Sequence, residues 1–166
     1  LLDVFEFVRR PDPHVKIVCL GRGTHKEEIL DRPVERRGLQ DTVLPLGYRR
    51  DDYREVLAML DAGMMLVPGS DGSCRAAMEM AAMEKPLVVA RRGVLPDIVE
   101  DGETGIVVDD TPENLAAAVM GMASDPDRRR RWGRAARERM RDVFSLERQV
   151  DAVEQVYHHV LGKGGN

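Results

Sequence analysis

Asp71 and Glu79 stand eight positions apart, between the apolar runs Met64 to Val67 and Leu87 to Ala90. The intervening stretch opens with Gly69, Ser70, Asp71, Gly72 and Ser73, and continues through the helix-favouring residues Ala76 to Met83. A thin loop leading into a helix presents backbone N–H groups that have no intrahelical partner, and the helix dipole favours an anion such as phosphate there. A carboxylate a turn or two further along repels phosphate but suits a neutral cis-diol such as that of a ribose. Two charge-assisted hydrogen bonds to such a diol contribute roughly 1.5–3 kcal/mol each before desolvation. The same residues admit a plainer use, with Ser70, Asp71 or Ser73 as helix N-cap and Glu79 as a solvated helical side chain.

Positioning these two acids requires strand, loop, helix and strand in succession. Five short apolar runs, Val15 to Leu20, Val43 to Leu46, Met64 to Val67, Leu87 to Ala90 and Gly105 to Val108, alternate with helical patterns. That alternation predicts an α/β chain with a Rossmann-like, doubly wound parallel sheet. Asp71 then lies at a strand's carboxyl end and Glu79 about two turns into the next helix, both facing the crevice over the sheet.

The helices carry their own signals. Thr24 and Glu27 have the spacing of a capping box, and Gly38 ends the helix that follows. Tyr53, Val56, Leu57 and Leu60 form one buried stripe, with Asp51 and Asp52 at that helix's positive end. Thr111-Pro112 caps the next helix with a face of Leu115, Val119 and Met122, and Asp125-Pro126 stops it. Two more helices follow, over about 127–142 and 145–161. The first has a stripe of Trp132, Ala135, Ala136 and Met140, and the second a stripe of Leu146, Val150, Val153, Tyr157 and Val160.

At 166 residues, 43% of them hydrophobic, the chain can bury one core, over residues 1–161. Residues 162–166 are predicted to be a disordered glycine-rich tail. A net charge of −4 supplies no global field for nucleic acid. Residues Asp127 to Asp142 hold eight arginines against three acids, which we read as a solvated face rather than a lipid or RNA patch. The two cysteines, Cys19 and Cys74, have neither metal-ligand spacing nor a disulfide framework, so a reducing, cytoplasmic setting without a metal is expected. His14, His25, His158 and His159 have no acid or thiol at a usable spacing for catalysis. Gly21-Arg22-Gly23 follows a strand but lacks the continuation of a dinucleotide fingerprint.

Taken together, these segments resemble the carboxyl-terminal domain of the retaining GT-B glycosyltransferases of the family-4 type. The resemblance runs through Val15 to Gly23, Leu44 to Tyr48, Asp61 to Ser70, the acid pair, Lys85 to Ala90 and Leu95 to Asp109. It implies a nucleotide diphosphate sugar as donor substrate, no separate cofactor, and transfer to an acceptor hydroxyl with configuration retained. The family's acid motif is Glu, seven residues, Glu, and here it is matched by Asp71 and Glu79. The match assigns Asp71 to the donor sugar's hydroxyls, as the catalytic position, and Glu79 to the ribose diol. It brings the backbone of Gly72, Ser73 and Cys74 to sugar and phosphates, sets Tyr48 and Arg49 beside the base, and adds Gly21 and Gly23 to the donor site.

This chain departs from the family pattern at several positions. Asp71 is one methylene shorter than the usual Glu. Ser73-Cys74 replaces Phe-Gly, Glu84 stands where Gly is common, and Arg75 replaces an apolar residue. Arg75 can aim at a diphosphate or pair with Asp71 four residues back. The chain opens within a helical pattern at Leu1. In a sheet ordered 3-2-1-4-5-6 the first strand is central, so the expectation is a fragment whose sheet has a central gap. The resemblance places the family's basic pair and its amino-terminal acceptor domain upstream of Leu1, with any peripheral membrane contact made by that parent protein. Such a fragment is expected to bind weakly and to catalyse nothing alone. A sugar-nucleotide epimerase of the same architecture and a non-catalytic nucleotide-sugar-binding module are the alternatives.

Overall fold

The computed structural model describes residues 2–9, 12, 14–66 and 74–162. Five strands alternate with helices: α1 (Leu2–Arg9), β1 (Ile17–Leu20), α2 (Arg32–Arg36), β2 (Val43–Gly47), α3 (Tyr53–Met59), β3 (Gly63–Met65), α4 (Arg75–Ala82), β4 (Leu87–Ala90), α5 (Leu95–Ile98) and β5 (Gly105–Val108). Three helices follow, α6 (Pro112–Ala123), α7 (Pro126–Val143) and α8 (Leu146–Val160). Every described strand pairing is parallel, as the alternation of elements predicts.

The strands form two ladders, β1 with β2, and β3-β4-β5 in that order. Among the described residues no strand pairing joins the two ladders. One apolar cluster nevertheless spans both ladders. It joins Val4, Phe5 and Val8 of α1 to Val43 of β2, Val88 of β4 and Leu115 of α6, with Ile17 of β1 and Met64 of β3 packed against it. The opposite face of β4, through Leu87 and Val89, packs with Ala77 and Met80 of α4 and Met140 of α7. All four β4 residues are buried because helices cover both faces, and burying each valine contributes roughly 1.5–3 kcal/mol.

Local signals settle most helix ends. Thr111, Asp125 and Ser145 each accept a hydrogen bond from the backbone N–H three residues on, as N-caps do. Gly38, at φ 62°, closes α2: its amide donates to Glu35 and that of Leu39 to Val34, satisfying carbonyls the helix leaves open.

Other expectations need correction. The capping box at Thr24 and Glu27 does not form: Glu27–Asp31 is a π-helical turn without a side-chain cap, and Glu27 pairs with Arg32 at 2.9 Å. With Glu27 drawn to that guanidinium, its carboxylate cannot reach back to Thr24. The arginines of α7 are more than a solvated face. Arg129 Nη1 donates to the carbonyls of Met122 (2.7 Å) and Ala123 (2.6 Å), at the end of α6. Arg139 does the same for α5, with Nε donating to Ile98 (3.0 Å) and Nη2 to Asp97 (2.8 Å). Terminal carbonyls have no partner within their own helix, so a guanidinium arriving from α7 supplies one. The α8 stripe of Leu146, Val150, Val153, Tyr157 and Val160 exists but is exposed throughout. Among the described residues, no helix is long and apolar enough to cross a membrane.

Candidate functional site

Helices α3 and α4 begin after the carboxyl ends of β2 and β3, and their first turns hold polar contacts to the second acid of the motif. Tyr53 is the first residue of α3, and its Oη donates to Oε2 of Glu79 at 2.8 Å. Arg75, the first residue of α4, brings Nε to within 3.2 Å of Oε1 on the same carboxylate. Because Tyr53 and Arg75 both lie at helix starts above strand carboxyl ends, the Glu79 carboxylate they share lies on that side of the sheet. Glu79 is four residues beyond the first residue of α4, so it sits just over one turn into the helix, nearer its positive end than the expected two turns.

Among the described residues the two oxygens of Glu79 each have one partner, while a carboxylate offers about four acceptor sites. Arg75 turns forward to Glu79, and its side chain is 83% exposed, which leaves it able to swing toward an anion. Tyr53 is held more firmly, its ring packed against the cluster of Leu57, Cys74 and Met80. Burial first, and then the hydrogen bond to Glu79, push its phenol up to about 12, so it stays a donor across the physiological range.

Cys74 caps the start of α4 in a left-handed conformation, φ 43°, with its side chain buried. This is one of the places where the chain departs from a glycine, and glycine is the residue that adopts that conformation without strain. The carbonyl of Cys74 accepts from Ala77 at 2.8 Å, opening the helix. Asp71, Gly72 and Ser73, the rest of the acid-motif loop, lie outside the described residues.

A second group forms over β1 and β2. The amide of Gly21, at φ 129°, donates to the carbonyl of Gly47 at 2.9 Å, tying the two strand ends together. The guanidinium of Arg22 lies 4.6 Å from the ring centre of Tyr48, a cation–π contact on one ring face. Tyr48 is exposed and Gly23 is exposed beside it in the same layer of loops. Arg49 is engaged with Asp52, Nε to Oδ1 at 2.8 Å, which lowers the Asp52 carboxyl below its ordinary range. Asp52 is thereby used by Arg49 instead of capping α3. The segment from Tyr48 to Tyr53 thus runs from the Arg22 stack to the Glu79 carboxylate.

The sequence reading assigned Tyr53 to a buried stripe and missed its polar end. The signal was available: a hydroxyl-bearing aromatic in a row otherwise made of Val56, Leu57 and Leu60, and tyrosine hydroxyls find partners when partly buried.

The sequence and fold of the chain are also similar to those of known proteins. The sequence model described as "Glycosyl transferases group 1" matches residues 1–139. A glycogen synthase of Mycobacterium tuberculosis is 32% identical over 155 residues, an alignment covering 90% of this chain and 36% of that protein. The chain therefore spans about a third of the length of that relative. The crystal structure of a variant of S. aureus TarM in complex with fondaparinux, alpha-GlcNAc-glycerol and UDP superposes with a TM-score of 0.80 at 21% identity, covering 90% of this chain and 31% of that one. The C-terminal domain of a glycosyl transferase group 1 family protein from Francisella tularensis superposes with a TM-score of 0.70 at 17% identity, covering 87% of this chain and 77% of that one.

Proposed function

This chain belongs to the glycosyl transferases group 1 family, and from that premise we propose that it forms the donor-binding part of a retaining glycosyltransferase, acting in the cytoplasm on a nucleotide diphosphate sugar. The observation that carries the reading is the Glu79 carboxylate, held by Tyr53 and Arg75 at the carboxyl end of the parallel strands, each oxygen having one partner among the described residues. In open α/β sheets ligands bind in that crevice. The UDP in the TarM crystal structure, a protein of the same fold, supports a nucleotide as the occupant.

In this reading Glu79 accepts from the two ribose hydroxyls. Asp71 accepts from the donor sugar, and the backbone of Gly72, Ser73 and Cys74 approaches sugar and diphosphate. Arg75 leaves Glu79 for the diphosphate, offsetting part of the negative charge that grows as the glycosidic bond to phosphate breaks. Tyr48 and Arg49 flank the base, and Gly21 and Gly23 belong to the same donor site. The acceptor hydroxyl attacks the anomeric carbon, its proton is lost, and the nucleoside diphosphate departs. Positive charge beyond Arg75 and the acceptor-binding surface are assigned to the remainder of the parent protein, so this chain alone binds weakly and does not turn over.

Calorimetry on the intact protein tests the division of labour. Glu79→Ala should weaken every nucleotide that carries a ribose diol, whereas Asp71→Ala should weaken the sugar-bearing donor and spare the bare diphosphate. Equal losses for both ligands in both variants would overturn the assignment.

A further inference from the structure

We propose that Tyr53 is a positioning residue that fixes the Glu79 carboxylate for the two hydroxyls of a ribose, and so sets selectivity for ribonucleotides over nucleotides lacking that diol. This rests on the reading of Glu79 as the diol acceptor.

The geometry separates the two partners of Glu79 by how firmly each is held. Arg75 reaches Oε1 from a side chain that is 83% exposed, and an exposed ion pair of that kind constrains a carboxylate weakly. Tyr53 reaches Oε2 from a ring packed against the core cluster that includes Leu57 and Met80, and its donor is a single O–H aimed along one direction. Removing Arg75 from Oε1, as a bound diphosphate would, leaves Oε1 open while Oε2 remains tied. A carboxylate with one oxygen pinned has lost most of its freedom to rotate about its last side-chain bond, so two lone pairs are already directed when the diol arrives. Pre-organisation of this sort acts on affinity through the ordering that no longer has to occur on binding. It acts only on ligands that use the carboxylate. Among the described residues the polar end of Tyr53 meets Glu79 while its ring packs against the core, so its contribution should disappear for a nucleotide without ribose hydroxyls.

The test compares the intact wild-type protein with Tyr53→Phe and Glu79→Gln. Binding is measured by calorimetry for UDP, ADP and GDP, and the tightest of these is compared with its 2′,3′-dideoxy counterpart. Phenylalanine keeps the packed ring, and thermal melting recorded alongside reports any loss of fold. The expected result is a wild-type preference for the ribonucleotide that falls by about five- to tenfold in Tyr53→Phe, with dideoxynucleotide affinity unchanged, the size of one ordinary intramolecular hydrogen bond. Equal weakening of both ligands, or an unchanged preference, overturns the inference by showing that Tyr53 serves only the packing of α3 on α4. Glu79→Gln distinguishes the underlying reading. If that variant keeps the wild-type preference, or the wild type has none, the assignment of Glu79 to the diol fails. If Glu79→Gln loses the preference and Tyr53→Phe retains it, the assignment stands and only the positioning role falls.

Discussion

The hydroxyl of Tyr53 and the carboxylate of Glu79 meet across 2.8 Å, joining the first residue of α3 to the fifth of α4. The contact couples two helices that rise from different strand ladders, and it has a consequence at alkaline pH. The phenol is raised from 10.0 to about 12 by burial first and by Glu79 second. A group whose folded value lies above its unfolded one holds its proton longer in the folded state, so its contribution is complete below about pH 10 and lost as pH rises through about 12. Stability of the wild type should therefore decline across that window more steeply than that of Tyr53→Phe, measured by denaturant unfolding at a series of pH values. Parallel declines in the two proteins would count against it.

Glu84 lies at φ 60°, the left-handed region, and Arg137 Nη1 pairs with its Oε1 at 3.0 Å. The backbone conformation costs a non-glycine residue roughly 1–2 kcal/mol, whereas an exposed ion pair contributes about 0–1 kcal/mol. Glu84→Gly should stabilise the protein by about 0.5–1 kcal/mol once both effects are combined. Glu84→Ala removes the pair and keeps the strain, so it should give no gain. Equal denaturation midpoints for the two variants would refute the strain argument.

Gly133 of α7 lies against the backbone of that same residue. A methyl group added there would fall inside contact distance of the Glu84 carbonyl oxygen, with Pro86 Cδ a further 3.5 Å neighbour. Backbone cannot yield as a side-chain tip can, so Gly133→Ala must push α7 away from the α4–β4 turn. We expect a loss of about 1–3 kcal/mol, read from the urea midpoint. A midpoint matching the wild type would show that the two elements are not so closely packed.

Arg129 donates to two carbonyls at the end of α6 from a side chain only 17% exposed. Arg129→Met keeps much of the stem and removes the donors. Hydrogen bonds to a charged group contribute roughly 1.5–3 kcal/mol, and the variant should lose stability of that order in thermal melts. Arg130, which among the described residues pairs only with Asp127 on its own helix, provides the contrast: Arg130→Met should change stability by no more than about 0.5 kcal/mol. Similar losses in both variants would mean that the carbonyl contacts of Arg129 are not what stabilises the α6–α7 junction.

The order of elements, the parallel ladders and the acid-motif helix were all legible in the residues. The strand runs and the proline, serine and glycine signals at Thr111-Pro112, Ser145 and Gly38 act over a few positions, and such local physics is written directly in a sequence. What escaped was the choice among competing partners. Thr24 and Glu27 had the spacing of a capping box, yet Arg32 won the carboxylate. Tyr53 and Glu79 are 26 positions apart, and nothing in either segment announces that a hydroxyl and a carboxylate will meet.

The sequence by itself determined that this chain has an α/β fold with the helix that carries Glu79 following one of its strands, because periodicity, caps and turn residues are properties of neighbours along the chain. Only the tertiary structure decided which partners those acids take: Arg75 turning forward to Glu79, Tyr53 crossing from α3, and Arg129 and Arg139 closing other helices' ends. Those choices depend on which side chains the packed helices bring within about 3 Å of one another, a distance that spacing along the chain does not encode.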